Sequence, residues 1–389
     1  LFLLLSMALF VSLSAFSATA GQSAVRDWTS ADGAASFRGT FIEGRGDQAV
    51  IVREADGVRF EVALDRLSAS DREWIALVLQ KREDVASASG DAERTLPDRL
   101  EWPRHLRVPS DYQIEVIEED RASNRFVYRS NHFEFISDVA LSRRVIREFG
   151  QIFEATYEAV AAMPLRWDPQ PPAGPFFKVR LFGDRSAYYA ADGPLNSGGV
   201  YFGSRREILV PLTSVGMRRT SSEYTFDANA DFGTLIHEIT HQVHHDWLRR
   251  LPIWLTEGLA VYMENVPYAR GEFRFDRLNV AGAFSRRSRD GAFVSLTTMI
   301  GMSHAEWNQQ LANNPERARL NYATAFLMAW FFFHHDADGR NMYRYLRAIE
   351  EGMPELEARA LLFDGRSLEE LERDFIRAFE RQRLRLQAG

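Results

Sequence analysis

The chain has 389 residues, 47 Lys plus Arg against 54 Asp plus Glu, a formal charge of -7 and 46% hydrophobic residues. With its negative mean hydropathy this excludes a polytopic membrane protein and wholesale disorder. Lys81 and Lys178 are the only lysines and the arginines are scattered among carboxylates, so no basic stripe for nucleic acid stands out; with no cysteine, disulfides contribute nothing to stability.

Residues 1–20, LFLLLSMALFVSLSAFSATA, are apolar for most of their length, uncharged, and end in Ala18-Thr19-Ala20. That is the pattern of a signal peptide cut before Gly21, which predicts an exported protein. The alternative is an uncleaved anchor, because the run is about the length needed to span a bilayer. No other run reaches that length, so no membrane contact is expected beyond this segment.

Residues 21–82 read as a small β unit. Turn signals at Asp32-Gly33, Gly44 to Gly46 and Asp56-Gly57 separate β-prone runs at Val50-Ile51-Val52 and Phe60-Glu61-Val62, and a helical patch follows at Ser70 to Arg82. Through Arg26-Asp27-Trp28-Thr29, the Ala55-Asp56-Gly57 turn and Val62-Ala63-Leu64 leading into Leu67-Ser68, this unit resembles the first Sla1-homology domain. The resemblance implies an SH3-like barrel and a protein or peptide ligand for this module, and no catalysis. Residues 83–125 read as a linker, richest in Ala, Ser, Gly, Asp and Glu over its first half.

The second domain is expected over 126–389. Alternation at 126–128 and 133–136 predicts strands, 141–163 has the spacing of a long amphipathic helix, and strands recur at 177–182, 199–202 and 207–212. After Asp231 the pattern is helical to the end. Strands first and helices later predict an α+β fold, a mixed sheet followed by a mostly helical part.

His237-Glu238-Ile239-Thr240-His241 lies on the helix predicted from about Asp231. Histidines at i and i+4 project from one helical face, so both imidazoles can reach one ion, and the Glu between them points toward the same site. Phe232, Leu235, Ile236, Ile239 and Val243 form the stripe that would bury the other side. A catalytic zinc takes three protein ligands and leaves one position open. The third is expected from Glu257 in Trp254-Leu255-Thr256-Glu257-Gly258, on a second helix after Pro252. His244 and His245 are rival ligands, but three ligands on successive turns of one straight helix cannot surround an ion, so His244 reads as lying behind the ligands or facing solvent.

This combination resembles the gluzincin clan of zinc metallopeptidases, the peptidase MA-like proteins in particular and the M1-type aminopeptidases more distantly. The connection between His241 and Glu257 is shorter than in the aminopeptidases, and their Gly-x-Met-x-Asn motif does not occur. The resemblance implies a zincin-type domain with one zinc per chain on His237, His241 and Glu257, Glu238 as general base, and hydrolysis of a peptide or protein substrate. It further implies that Tyr322, read as opening an apolar helix at Asn321 to Leu327, donates to the developing oxyanion; Tyr201 and Tyr262 are the alternatives. Gly199 and Tyr201, in Gly198-Gly199-Val200-Tyr201-Phe202, are expected on an edge strand that pairs with an extended substrate. Two other readings stay open: an idle zinc-binding peptidase fold used as a binding module, and a metal-dependent hydrolase of a non-peptide substrate. Trp330 to Phe333 is expected as helix core, His334 and His335 as partners of a helix C-terminus, and His105, His132 and His304 as surface or core residues without ligand spacing.

Overall fold

The computed structural model describes residues 26–53, 59–76, 78–80, 100–109, 113–165, 169, 174–195, 197–220, 224–226 and 230–388. The expected signal segment, the Ala55-Asp56-Gly57 turn, the end of the helical patch at 81–82 and linker residues 83–99 and 110–112 lie outside them. The fold is mixed α/β, in two units, Leu1–Ala86 and Ser87–Gly389. Among the described residues no helix is long and apolar enough to cross a membrane.

In the first unit β1 (Arg26–Thr29), β2 (Ser36–Arg45), β3 (Gln48–Arg53) and β4 (Arg59–Ala63) pair in sequence order as an antiparallel meander. Gly46, at φ 60°, sits at the first central position of the two-residue β2–β3 turn, which demands a left-handed residue. The expected barrel is not closed by the described residues, because β1 and β4 end the sheet without pairing to each other. The apolar side of Trp28, Phe41 and Ile51 is covered instead by Leu67, Trp74 and Ile75, which belong to the segment running into a helix at 69–76.

The second unit begins before residue 126. Within the segment expected as linker, β5 (Leu106–Arg107) pairs with Glu272–Phe273, and β6 (Glu115–Asp120) pairs with β7 (Arg125–Arg129). With β8 (Phe133–Ser137), β9 (Phe177–Phe182), β10 (Val200–Phe202) and β11 (Glu207–Pro211), these build a six-stranded sheet ordered β10-β11-β9-β8-β7-β6. β8–β9 and β9–β11 are parallel and the outer pairs antiparallel. Helix α1 (Arg143–Ala161), capped by Ser142, lays Ile146, Phe149, Ile152 and Phe153 into the same core as Phe133, Phe135 and Phe177. A short helix α2 (Arg185–Ala190) follows β9.

Beyond the sheet the described chain is mostly helical, with three small sheets of two- and three-residue strands between and after the helices. Helix α3 (Gly233–Val243) is followed by one short turn, then by α4 (Ile253–Asn265), entered through Pro252. α4 is apolar nearly all round, and it is packed between α3 and a later helix at Pro315–Trp330. α5 (Val280–Ser285), α6 (His304–Asn313) and α7 (Pro315–Trp330) come next. Gly258 sets the α4–α7 spacing: a Cβ there would stand 2.4 Å from the Ala325 carbonyl oxygen.

Candidate metal centre

Helix α3 buries Leu235, Ile236, Ile239 and Val243 as its sequence stripe requires, which leaves His237, Glu238 and His241 half-buried along the opposite border. Asp231 Oδ1 accepts the Gly233 N–H at 2.9 Å and satisfies one of the free donors at the helix start. Gly233 also leaves room for a neighbour, since a Cβ there would lie 3.1 Å from Glu264 Cγ.

The close approach of α4 brings Glu257 against the two histidines. His237 Nε2 and His241 Nε2 are 3.1 Å apart, and Glu257 Oε2 lies 3.4 Å from the first and 3.5 Å from the second. Oε2 is buried and has no hydrogen-bond partner, so the two histidine approaches are too long and poorly aimed to be hydrogen bonds. They have another meaning. Ligand atoms about 2.0–2.2 Å from a tetrahedral ion stand about 3.3–3.6 Å from each other, and the three atoms here are spaced close to that. His237, His241 and Glu257 could hold a metal ion, and they are the one such group among the described residues.

The charges agree with this placement. Burial alone would lower the His237 pKa, yet the adjoining carboxylates of Glu257 and Glu264, with the charge of Glu238, raise it to about 10, so the site calls for a cation. Glu257 is driven the opposite way: burial disfavours its charge, but His241 and His237 hold it well below the usual carboxylate range. Glu238 is raised, chiefly by burial.

Glu238 stands beside the ligand group without belonging to it, and its Oε2 accepts the Tyr201 backbone N–H at 2.7 Å. Tyr201 lies on β10 at the end of the sheet, as expected for an edge strand, and its hydroxyl meets His245 Nδ1 at 2.7 Å. Gly199 precedes that strand and packs toward the Leu209 carbonyl, not against the ligand group. The Tyr322 ring faces His237 edge-on with centroids 6.2 Å apart, and Trp307 of α6 backs it at 5.0 Å. Burial, then the charge of Glu257, raises the Tyr322 pKa, so the phenol keeps its proton and can donate. Tyr322 does not open its helix. Asn314 caps α7 and Pro315 begins it, which places the tyrosine mid-helix.

The rival residues lie elsewhere. Tyr262 bonds His334 Nε2 at 2.9 Å, and His244 is buried rather than solvent-facing, its pKa lowered to about 3 by burial and then by the His241 charge. His334 and His335 end a π-turn at Phe331–His335, beside the buried Phe331 to Phe333.

Two further residues belong to the centre. Glu264 Oε2 lies 3.4 Å from His237 Nδ1, and Glu264 Oε1 takes a close ion pair from Arg287. A carboxylate on the far nitrogen of a ligand imidazole fixes its ring and its tautomer. Glu264 was within reach of sequence reasoning, because it lies seven residues and two helical turns after Glu257 on one face; Arg287 carries no local signal. No protein-family model and no curated protein matches this chain.

Proposed function

We propose that the chain is an exported zinc metallopeptidase of the gluzincin type, with a small SH3-like module ahead of a zincin-type domain. The observation that carries this reading is one constellation: two imidazoles and a carboxylate at ligand spacing, with a buried carboxylate beside them that is not a ligand. Two nitrogens and one oxygen suit zinc, and three protein ligands is the number its catalytic sites use.

When bound at these three residues, zinc would supply Lewis acidity toward a water and a peptide carbonyl. The chain's own groups carry the protons. The Tyr201 N–H holds one oxygen of Glu238, which leaves the other to take a proton from water and hand it to the departing amine. Tyr322 donates to the carbonyl oxygen as charge develops there. Strand β10 ends the sheet and offers its edge to an extended substrate. Export rests on the apolar segment at 1–20.

The test is zinc content together with hydrolysis of a mixed peptide library. One zinc per chain is expected, and Glu238→Gln, which keeps the shape but cannot accept the proton, should retain zinc while hydrolysis drops roughly 10²-fold to 10⁴-fold. Full activity in Glu238→Gln defeats the mechanism. A parent that holds zinc and cleaves nothing transfers the chain to the idle binding-module reading.

A further inference from the structure

The structure assigns to Arg287 the role of a positioning residue that sets how tightly the centre holds its metal, acting through Glu264 on His237. This rests on the metal-centre reading above and extends it to a residue outside the motif-bearing helices.

His237 can present Nε2 to an ion only while its Nδ1 keeps the proton and the ring keeps its orientation. The group placed to favour both is Glu264, whose Oε2 stands 3.4 Å from Nδ1, an ion-pair rather than a hydrogen-bond approach. Glu264 closes the last turn of α4, where a long carboxylate has several rotamers open to it. Arg287, two residues past the end of α5, pins it by pairing with Oε1, so that Oε2 is left beside the imidazole. Both partners are about four-fifths buried, their side chains 21% exposed each, so solvent screens the pair only in part. The Arg287 backbone is itself fixed, its N–H donating to the Phe284 carbonyl at 2.9 Å.

A neighbour supplies the control. Arg286 and Arg287 line the same cavity of about 460 Å³ with Glu264, Asn265 and Asp231. Arg286, however, donates to Asn265 Oδ1 at 2.6 Å rather than to Glu264. The two arginines share charge and surroundings and differ in what they hold.

The sign of the effect separates two explanations. Removing a guanidinium near a cation site removes repulsion, so electrostatics alone predicts tighter metal binding in R287A. Positioning predicts the reverse, a loss of about 10-fold to 10²-fold, the range for a group that orients a ligand from behind. The experiment is zinc affinity by chelator competition on the full chain, for the parent, R287A, R287Q, R287K and R286A, with thermal melting of each in its metal-free form. Expected are weaker binding in R287A and R287Q at near-parental metal-free melting, recovery of most affinity in R287K, and parental or slightly tighter binding in R286A. In an E264Q background R287A should add nothing, because both act on one relay. R287Q keeps the measurement available should R287A not fold. Parental or tighter zinc in both R287A and R287Q overturns the proposal, as does an equal loss in R286A. A parent without zinc affinity overturns the metal-centre reading itself, a result distinguishable from failure of the relay alone.

Discussion

The six-stranded sheet ends on two strands finished in opposite ways. β6 carries Glu115, Glu118, Glu119 and Asp120 in six residues, and its register with β7 slips between Val116 and Glu118. Charge and a bulge together discourage another strand from pairing there. β10 is three residues long, uncharged, and regular against β11. Its Tyr201 N–H is turned to the Glu238 carboxylate instead of to β11. One edge is therefore closed by repulsion along its length, the other by a single hydrogen bond donated to a residue of the candidate centre. An edge held by one such bond opens to whatever displaces or shares it, and this is the edge beside the candidate metal ligands.

The contrast breaks most sharply at the ligands. Glu257→Ala removes one of the three donor atoms and should weaken zinc binding by more than the roughly 10²-fold typical of an orienting group, whereas Glu118→Ala on the far edge should leave it unchanged. Zinc titration of both variants reads the difference, and retained zinc in Glu257→Ala removes that residue from the ligand set. Next in size is Tyr322→Phe. It deletes one hydroxyl donor, for which about 10²-fold in turnover is expected, with zinc content at the parental level; a matching loss of zinc would make Tyr322 a structural prop for His237. Smaller still is the acidic edge. Glu115→Val with Glu119→Val leaves Ile117, already 38% exposed, in an apolar strand end and should produce concentration-dependent self-association with unchanged zinc affinity, followed by sedimentation across a dilution series. A double variant that stays monomeric would show that the bulge alone protects β6.

What the sequence discloses divides along the same line between local and distant causes. The two histidines and Glu238 are legible because one helical turn decides where they point, and the strands at 126–136 and 177–182 because alternation marks them. The start of α7 was legible too: Asn314-Pro315 is a cap followed by proline at the first helical position, and reading Asn321 as the start missed it. Other features depend on partners far along the chain. β5 is a strand because Glu272–Phe273 pairs with it, and the Glu264–Arg287 contact spans two helices. The Tyr201 contribution is a backbone N–H, which no residue identity announces. The first unit adds a case of its own: its strands are local and readable, but the return of the segment after β4 to the end of β1, through the Ser30–Leu67 bridge, is a distant pairing that no local pattern announces.

The smallest expected effect lies between the two edges and tests whether the sheet titrates independently of the centre. His132, at the β7–β8 turn, donates its backbone N–H to Glu154 Oε1 at 2.9 Å, places Nδ1 2.7 Å from Glu154 Oε2, and stacks on Tyr157 with centroids 3.8 Å apart. Burial would lower its pKa, but the hydrogen bond and charge of Glu154, and the charge of Glu158, outweigh burial and raise it above 6.5. The folded form thus holds its proton more tightly than the unfolded chain. The resulting stability is fully present below about pH 6.5 and is lost as pH climbs through the raised folded value. With the imidazole 29% exposed, solvent screens part of the contribution. Glu154→Gln removes the charge and keeps one of the two acceptor oxygens, its NH2 group taking the place of the other. Urea unfolding in the presence of chelator, so that ligand protonation does not enter through the metal, should show the parent's advantage over Glu154→Gln at pH 6 shrinking by pH 8.5. An advantage that does not change with pH would mean that His132 and Glu154 pair without a proton shift.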